Sequence, residues 1–545
     1  MPLSKLGFKP GINREGTNYS NEGGWFDGDK IRFRSGYVER IGGWTRVTND
    51  VIIGTARKIF DFVTLASQNL LFIGTEKKVY LENSGTFSDI TPIRSTLTLG
   101  NNPINTTGGA GSGVITVTTQ TSHLALTGDF VTFTGLTDTD GITAAQLNIE
   151  HEITSVPSTT TFTVTTAGSA TSGSTAGGGN SKTAAFQLNT GLNTTILGDG
   201  WNSGTWGRFT WGSASGSLAG STLRLWFADN FGEDLIFNAN DGAIYYWDAT
   251  NGTSTRAVLA SSLTGASDVP VSVRKVLVSE VDRHVIAFGS NPIDSATQDP
   301  MLIRFSSQES AVDWTPTATN TAGSFRLTDG NQINTAVRSR GAIMIWTDTA
   351  LYQMQFIGAP LTFGFKQIGS NCGAVGINAA VDVSGNSYWM SNDSFFVYDG
   401  AVKKIPCSVQ DYVFDDINEN AKQDVFCASN SNYNEVMWFY ASANSDQIDR
   451  MVIYNYAENL WYIGTLARTS WSDYGVYPVP YATQFLSTDT TATISTITGL
   501  KAGRTFVFLH ETGTEDDGSA MANHIESGDI DIADGDNFMS ISRFI

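Results

Sequence analysis

The chain has 545 residues, only 16% of them charged, and its 33 Lys and Arg against 53 Asp and Glu leave a net charge of −20. That balance argues against a protein that grips nucleic acid by its phosphates, which needs a basic footprint, although an acidic wall can surround DNA without holding it. Three cysteines, Cys372, Cys407 and Cys427, form no CxxC pair and no even set, so a disulfide framework is not expected and assembly in a reducing cytoplasm is.

Met1-Pro-Leu-Ser-Lys-Leu-Gly lacks the apolar stretch of a signal peptide, so no leader is expected. No run of about 18 apolar residues suggests a membrane span. Residues 1–95 carry aromatic and basic words: Trp25-Phe-Asp-Gly-Asp-Lys-Ile-Arg-Phe-Arg, then Gly42-Gly-Trp44. In Ile31-Arg-Phe-Arg the alternation predicts a half-buried strand, with Arg32 and Arg34 on one face and Ile31 and Phe33 on the other. Leu70-Leu-Phe-Ile-Gly-Thr-Glu-Lys-Lys-Val-Tyr-Leu reads as a hairpin, and Asp89-Ile-Thr-Pro follows it.

From Ser95 to Ser181 there is no Lys, Arg, Trp, Tyr or Cys. Gly, Thr and Ser crowd both ends, around three strand words: Val114-Ile-Thr-Val-Thr, Phe130-Val-Thr-Phe and Phe162-Thr-Val-Thr. Ala144-Ala-Gln-Leu-Asn is a short helical word between them. Residues 96–190 are therefore expected to be a small β-domain inserted through flexible joints, between an N-terminal part of the main body (1–95) and its remainder (191–545).

After Trp201 strand words return at intervals of roughly 45–70 residues, within reach of a four-stranded propeller blade plus loops. They start near Asp234, His284, Ala342, Asn386, Glu435 and Arg504. Ile343-Met-Ile-Trp is continuously apolar, as a strand covered on both faces should be. In Leu351-Tyr-Gln-Met-Gln-Phe-Ile, Tyr352, Met354 and Phe356 share a face. Stacked blades bury both faces of a sheet, so the fold class expected is all-β, a β-propeller main body with an inserted small β-domain; a sandwich or solenoid is the structural alternative. One segment reads as helical: Ser408 can cap it, and Val409, Tyr412, Val413 and Ile417 form an apolar stripe. Asp411, Asp415, Asp416 and Glu419 are its acidic flanks. A solvated helix face is the plain explanation of them.

No motif calls for catalysis, a cofactor or a metal. The five histidines (His123, His151, His284, His510 and His524) make no H-E-x-x-H, and no G-x-x-x-x-G-K-S/T loop or G-x-S-x-G elbow occurs. His510-Glu511 reads as a strand-end turn. Asp529-Ile-Asp-Ile-Ala-Asp-Gly-Asp536 approaches a calcium loop, but Ala533 stands at a ligand position, and a strand entering an Asp-Gly turn explains it. Ser307-Gln-Glu-Ser-Ala-Val-Asp-Trp314 resembles a degraded Asp box (S-x-D-x-G-x-x-W), a hairpin marker of sialidase-type propellers, with Glu309 for Asp and Ala311 for Gly.

Taken in order, the words resemble the tail nozzle (tail tubular) proteins of short-tailed bacteriophages. The similarity runs through Gly11-Ile-Asn-Arg-Glu-Gly-Thr-Asn-Tyr, Trp25, Arg32-Phe-Arg, Gly42-Gly-Trp, Asp89-Ile-Thr-Pro, Asp229-Asn-Phe-Gly-Glu-Asp-Leu and Tyr246-Trp-Asp. It continues in Trp314-Thr-Pro-Thr, Asn320-Thr-Ala-Gly, Trp346-Thr-Asp, Tyr388-Trp-Met, Asn455-Tyr and His510-Glu-Thr-Gly. It spans nearly the whole chain outside 96–190, and its order carries more than any one word. The resemblance implies a structural subunit of the virion tail, assembled in the host bacterial cytoplasm as a ring, a hexamer in that family. The ring would sit below the portal and adaptor (head–tail connector) proteins, meet tail fibre, spike or needle proteins, and pass genomic DNA without binding it specifically. Asp411, Asp415, Asp416 and Glu419 then become channel-lining candidates. The family runs on past an acidic segment like Asp529–Asp536, whereas this sequence stops at Ser540-Ile-Ser-Arg-Phe-Ile, so a fragment or an uncompleted last sheet is expected. A glycan-binding tail adhesin and, further off, a glycan-degrading enzyme with two carboxylates across a cleft are the other functions open to such a chain.

Overall fold

The computed structural model describes residues 7–173, 175–195, 223–486 and 504–530. The chain divides into two compact units, one of residues 1–46, 325–482 and 508–545, the other of 47–324 and 483–507. The two units share six four-stranded antiparallel meanders, the blades of an all-β propeller.

The second unit holds the first three. Blade one runs Ala56–Val63, Asn69–Thr75, Val79–Asn83 and Thr86–Asp89; blade two runs Trp226–Phe231, Asp234–Ala239, Ile244–Trp247 and Val258–Leu259. Blade three runs Val273–Val278, Val285–Ser290 and Leu302–Phe305, and the unit boundary falls within its last strand, Gly323–Arg326, after Ser324. The first unit holds blade four (Ile333–Ser339, Ala342–Thr347, Ala350–Gly358, Thr362–Ser370) and blade five (Ala380–Val383, Asn386–Met390, Phe395–Tyr398, Val402–Lys404). Blade six, Phe426–Asn430, Glu435–Tyr440, Arg450–Asn455 and Leu460–Thr465, follows there. The words starting near Asp234, His284, Ala342, Asn386 and Glu435 are the second strands of blades two to six, whereas the one at Arg504 is a strand of a separate sheet, Arg504–His510. Ile343-Met-Ile-Trp346 is buried throughout.

Tryptophan explains why those words are aromatic. Within each unit an indole lies buried between successive blades and donates its N–H to a backbone carbonyl there, so the ring fills volume while its one polar atom stays satisfied. Trp226 of blade two donates to Thr75 O of blade one at 2.7 Å. Trp389 of blade five donates to Cys372 O at 2.8 Å, and Trp438 of blade six to Ala379 O at 3.3 Å. Trp314, in the loop between the third and fourth strands of blade three, donates to Ala311 O at 2.9 Å, so the Asp-box-like word builds a turn.

Between blades one and two lies a separate seven-stranded sheet made of Ile93–Thr106, Val114–Thr119, Phe130–Thr134, Glu150–Ser158, Thr161–Thr165, Ala176–Gly177 and Lys182–Gln187. Its core includes Ile115, Val117, Phe133, Leu147, Phe162 and Phe186. The entering strand pairs antiparallel with the leaving one from Ile93↔Gln187 to Leu99↔Lys182. The short helix Ala144–Leu147 starts where the Gln146 side chain accepts the Thr143 N–H at 3.0 Å.

Strands from both ends of the chain meet. Trp44–Arg46 pairs with Phe508–His510, and Trp25–Asp29 with His524–Ser527. Residues 531–545, including most of the calcium-loop-like word and Ser540-Ile-Ser-Arg-Phe-Ile, lie outside the described residues. Two sequence expectations need correction. Arg32 is not on an open face: it is 3% exposed, because carboxylates from distant segments surround it. Ser408 does not cap the helix Gln410–Asp416; Val409 occupies that position, and the Ser408 hydroxyl is committed to Ile12 O at 2.6 Å.

Candidate functional site

The four acidic candidates fall into three settings. Asp411 and Asp415 lie one turn apart on the helix Gln410–Asp416 and are exposed, while Val409, Val413 and Ile417 are buried. Asp416 turns to Arg450, 3.7 Å away, and burial pushes its carboxyl up, against the pull of that guanidinium. Glu419 is not on the helix at all. It opens a separate 3-10 turn, Glu419–Asp424, where its carboxylate meets Lys422 at 2.6 Å. The break follows from Ile417, whose extended backbone ends the helix. Only Asp411 and Asp415 therefore form the acidic face that the spacing suggests.

A buried charge cluster in the first unit joins residues far apart in the sequence. Arg32 donates from Nε to Glu435 Oε1 at 2.9 Å and from Nη2 to Glu511 Oε1 at 2.5 Å, with further bonds from Nη2 to Glu435 Oε2 and from Nη1 to Glu511 Oε2. The Tyr462 hydroxyl donates to Glu435, and the Asn430 amide donates to both carboxylates. The Tyr433 ring lies 3.6 Å from the guanidinium. Burial works against the charge on Arg32, but Glu435 and Glu511 outweigh it and raise its pKa; burial also pushes the Glu435 carboxyl up, with Arg32 opposing. Gly42 and Gly43 allow the approach. A Cβ on Gly42 would lie 2.6 Å from Glu511 Cα, and the Gly42 N–H donates to Glu511 Oε2 at 3.1 Å.

Beside this lock, Arg468 donates from Nε to His510 Nε2 at 2.8 Å, with its guanidinium 4.8 Å from both the Trp44 and Phe508 rings. Burial, aided by Arg468, holds the His510 imidazole well below its ordinary pKa, so it stays neutral and accepts the bond. Burial lowers Arg468 itself to about 9. His510 ends the strand Arg504–His510 and Glu511, at positive φ, opens the turn after it, as the sequence suggests; the same pair also holds Arg468 and Arg32.

A second charged joint lies in the second unit, where the inserted sheet meets the blades. Lys78 of blade one, 2% exposed, contacts Asp89 at 2.8 Å and Glu150 of the inserted sheet, with its ammonium 4.4 Å from the Phe130 ring. Arg256 reaches Asp89 at 3.2 Å and Glu150 at 3.5 Å. The Gln187 amide also donates to Glu150. Burial tends to raise the Asp89 carboxyl, but Lys78 and then Arg256 bring it below the ordinary range. In blade three, Asp282, His284 and Thr321 stand in the order of an acid–base relay, with 2.9 Å from His284 Nε2 to Thr321 Oγ1. That imidazole is wholly buried, and Thr321 Oγ1 also accepts the Gln308 N–H at 2.8 Å, so the hydroxyl ties a loop to the blade.

Among the described residues no group of three or more His, Cys, Asp or Glu is placed to hold a metal ion, and no helix is long and apolar enough to cross a membrane. No family model matches the chain, and no curated protein does. Solved structures similar to it include the AfRom2 CNH domain (11% identity, 52% of this chain and 92% of that one, TM-score 0.30). The RRP9 WD40 repeats (7% identity, 52% and 93%, TM-score 0.30) and a structural-genomics target titled as a gluconolactonase (12% identity, 43% and 71%, TM-score 0.23) are also similar to it.

Proposed function

We propose that this chain is a structural subunit of a short-tailed phage's tail nozzle, a homo-oligomeric ring below the portal and adaptor proteins through which DNA leaves the particle. One observation carries the reading. Words that resemble the nozzle family, Arg32-Phe-Arg, Gly42-Gly-Trp and His510-Glu-Thr-Gly, come from opposite ends of the chain and converge on one lock, Arg32 with Glu435 and Glu511 beside Trp44 with His510 and Arg468. Segments from both ends of the sequence, fastened to blade six by buried charge, suit a part that must hold its shape while a genome is driven past it. The two lock carboxylates are already saturated by Arg32, Asn430, Tyr462 and Gly42, which favours a mechanical role for them over an acid–base one. The exposed Asp411 and Asp415 supply acidic surface of the kind a conduit needs, since each phosphate contact to a basic wall would release counterions and add affinity.

The test is a reconstruction of particles from infected cells, with this chain located by a tag on an exposed loop. A ring at the tail, below the connector and around an axial channel, is the expected result. A place in the capsid shell, or only at fibre tips, would overturn the proposal.

A further inference from the structure

The third and fourth strands of blade four run on past the blade as an arm. The blade's second strand pairs with its third only as far as Ile343↔Met354, yet the third and fourth strands go on pairing to Gly358↔Thr362. Residues 355–364 are thus a two-stranded ribbon beyond the blade. A lone hairpin is at best marginal in water, and this one presents large apolar side chains outward: Ile357 is 54% exposed and Leu361 68%, with Phe356 beside them. At its base Phe325 stacks on Phe365 at 4.2 Å and Phe356 meets Phe363 at 5.7 Å, so the aromatic root is ordered. Between Ala350 and Ser370 the only charge is Lys366. In a chain of net charge −20 the ribbon is an uncharged apolar projection, with Lys366 exposed at its root, where it pairs with Gln353.

The second unit bears a surface of the opposite kind. Turns joining first and second strands of blades one, two and three are tied side by side. The Leu65 N–H donates to Glu233 Oε2 at 3.1 Å, the Arg283 guanidinium lies 5.6 Å from the Phe231 ring, and the Glu309 N–H donates to Arg283 O at 3.1 Å. This rim exposes Leu65 (86%) and Val281 (74%) among three carboxylates, Glu233, Glu280 and Glu309, and one exposed cation, Arg283, so its balance is acidic.

We propose that the arm of one copy docks on the rim of a second copy of this chain, Ile357 and Leu361 against Leu65 and Val281, with Lys366 facing the rim carboxylates. Charge selects the occupant, because Lys366 at the root of an otherwise uncharged arm meets a rim of its own kind on which three carboxylates outnumber one cation. The contact joins two different surfaces, so it repeats head to tail and closes a ring if the rotation allows. It rests on the ring reading above and names the contact that would build it.

The experiment uses full-length chains carrying either Leu361→Cys or Val281→Cys, alone and mixed, in particles and as concentrated purified protein, under mild oxidation. The parent chain, with its own three cysteines, is the control. A disulfide-linked dimer only in the mixture is expected. Leu361→Lys, exposed and so compatible with folding, should lower ring yield about tenfold, the scale of losing one buried apolar anchor. Dimers from Leu361→Cys alone, a cross-link from it to a different protein, or no cross-link in either setting overturn the inference. Intact rings with no arm–rim cross-link and normal Leu361→Lys assembly sink the arm contact and leave the nozzle reading standing. Particles with this chain outside any ring sink the nozzle reading, whatever the purified chains do.

Discussion

Replacing Arg32 by Leu tests the lock most directly. The substitution keeps an apolar stem but strands Glu435, 1% exposed, and Glu511 without their cation. Removing one partner of a buried ion pair costs about 3–5 kcal/mol, because an unpaired charge is left in a poorly solvated place. Here two carboxylates share one guanidinium, so the upper part of that range is expected. Tyr462 and Asn430 still donate to Glu435 and keep the loss from growing further. Adding Glu435→Gln should recover part of it. The pH dependence gives the sign. Burial already raises the folded pKa of Glu435 above its ordinary value, and losing Arg32 raises it more. A folded state that binds the proton more tightly gains stability as pH falls through the raised folded pKa. The deficit of the variant relative to the parent should therefore be largest near pH 8 and shrink toward pH 5. Urea unfolding followed by tryptophan fluorescence, at several pH values, measures both. A cost under about 1 kcal/mol, the scale of an exposed pair, or a deficit that grows in acid, would refute the reasoning.

Lys78→Met should loosen the inserted sheet by about 3 kcal/mol, the low end for a broken buried pair because Arg256 remains on Asp89 and Glu150; faster hydrogen exchange confined to residues 93–187 would show it, and unchanged exchange would count against the joint. His510 and His151 have folded pKa values lowered by burial, so the unfolded chain binds more protons below about pH 6.5 and each group removes roughly 1.4 kcal/mol per pH unit there; His510→Gln should flatten that acid slope in urea titrations, and an unchanged slope would be inconsistent with a neutral His510. On the nozzle proposal, Asp411→Lys combined with Asp415→Lys should slow DNA ejection from assembled particles, most at low salt, since the repulsion acts over about 8–10 Å near physiological ionic strength; ejection at the parental rate would remove these residues from the channel wall.

Pattern-borne features were legible and distance-borne ones were not. Ile343-Met-Ile-Trp346 announces a strand buried on both faces because apolar continuity is local. The inserted domain's strands are likewise visible in Val114-Ile-Thr-Val and Phe162-Thr-Val-Thr. Arg32 alternates with Ile31 and Phe33, and alternation alone places it outward; its partners Glu435 and Glu511 lie 403 and 479 residues away, beyond any local period. A signal did exist. Glu435 opens the strand word Val-Met-Trp-Phe-Tyr, and a carboxylate at the head of a fully buried strand needs a cation. Ser408 misled for a similar reason: its position suits a cap, but Ile12 O, brought up by the N-terminal segment, takes its hydroxyl. Of the acidic stripe, helical spacing gave Asp411 and Asp415 their shared face, while the extended Ile417 cut off Glu419.

The inserted sheet enters and leaves through adjacent antiparallel strands, and the Leu188 N–H donates to Pro92 O at 2.9 Å beneath them. Because the two joints lie side by side, the site is a grafting port, where one cassette can be exchanged for another without re-registering any blade. The port has a toll set by Lys78, which is buried on the blade side. A replacement cassette that brings no carboxylate to the place of Glu150 would leave Lys78 and Arg256 to share Asp89 alone. Exchangeable cassettes at this position should therefore differ freely at their far edges yet all present an acid at the root.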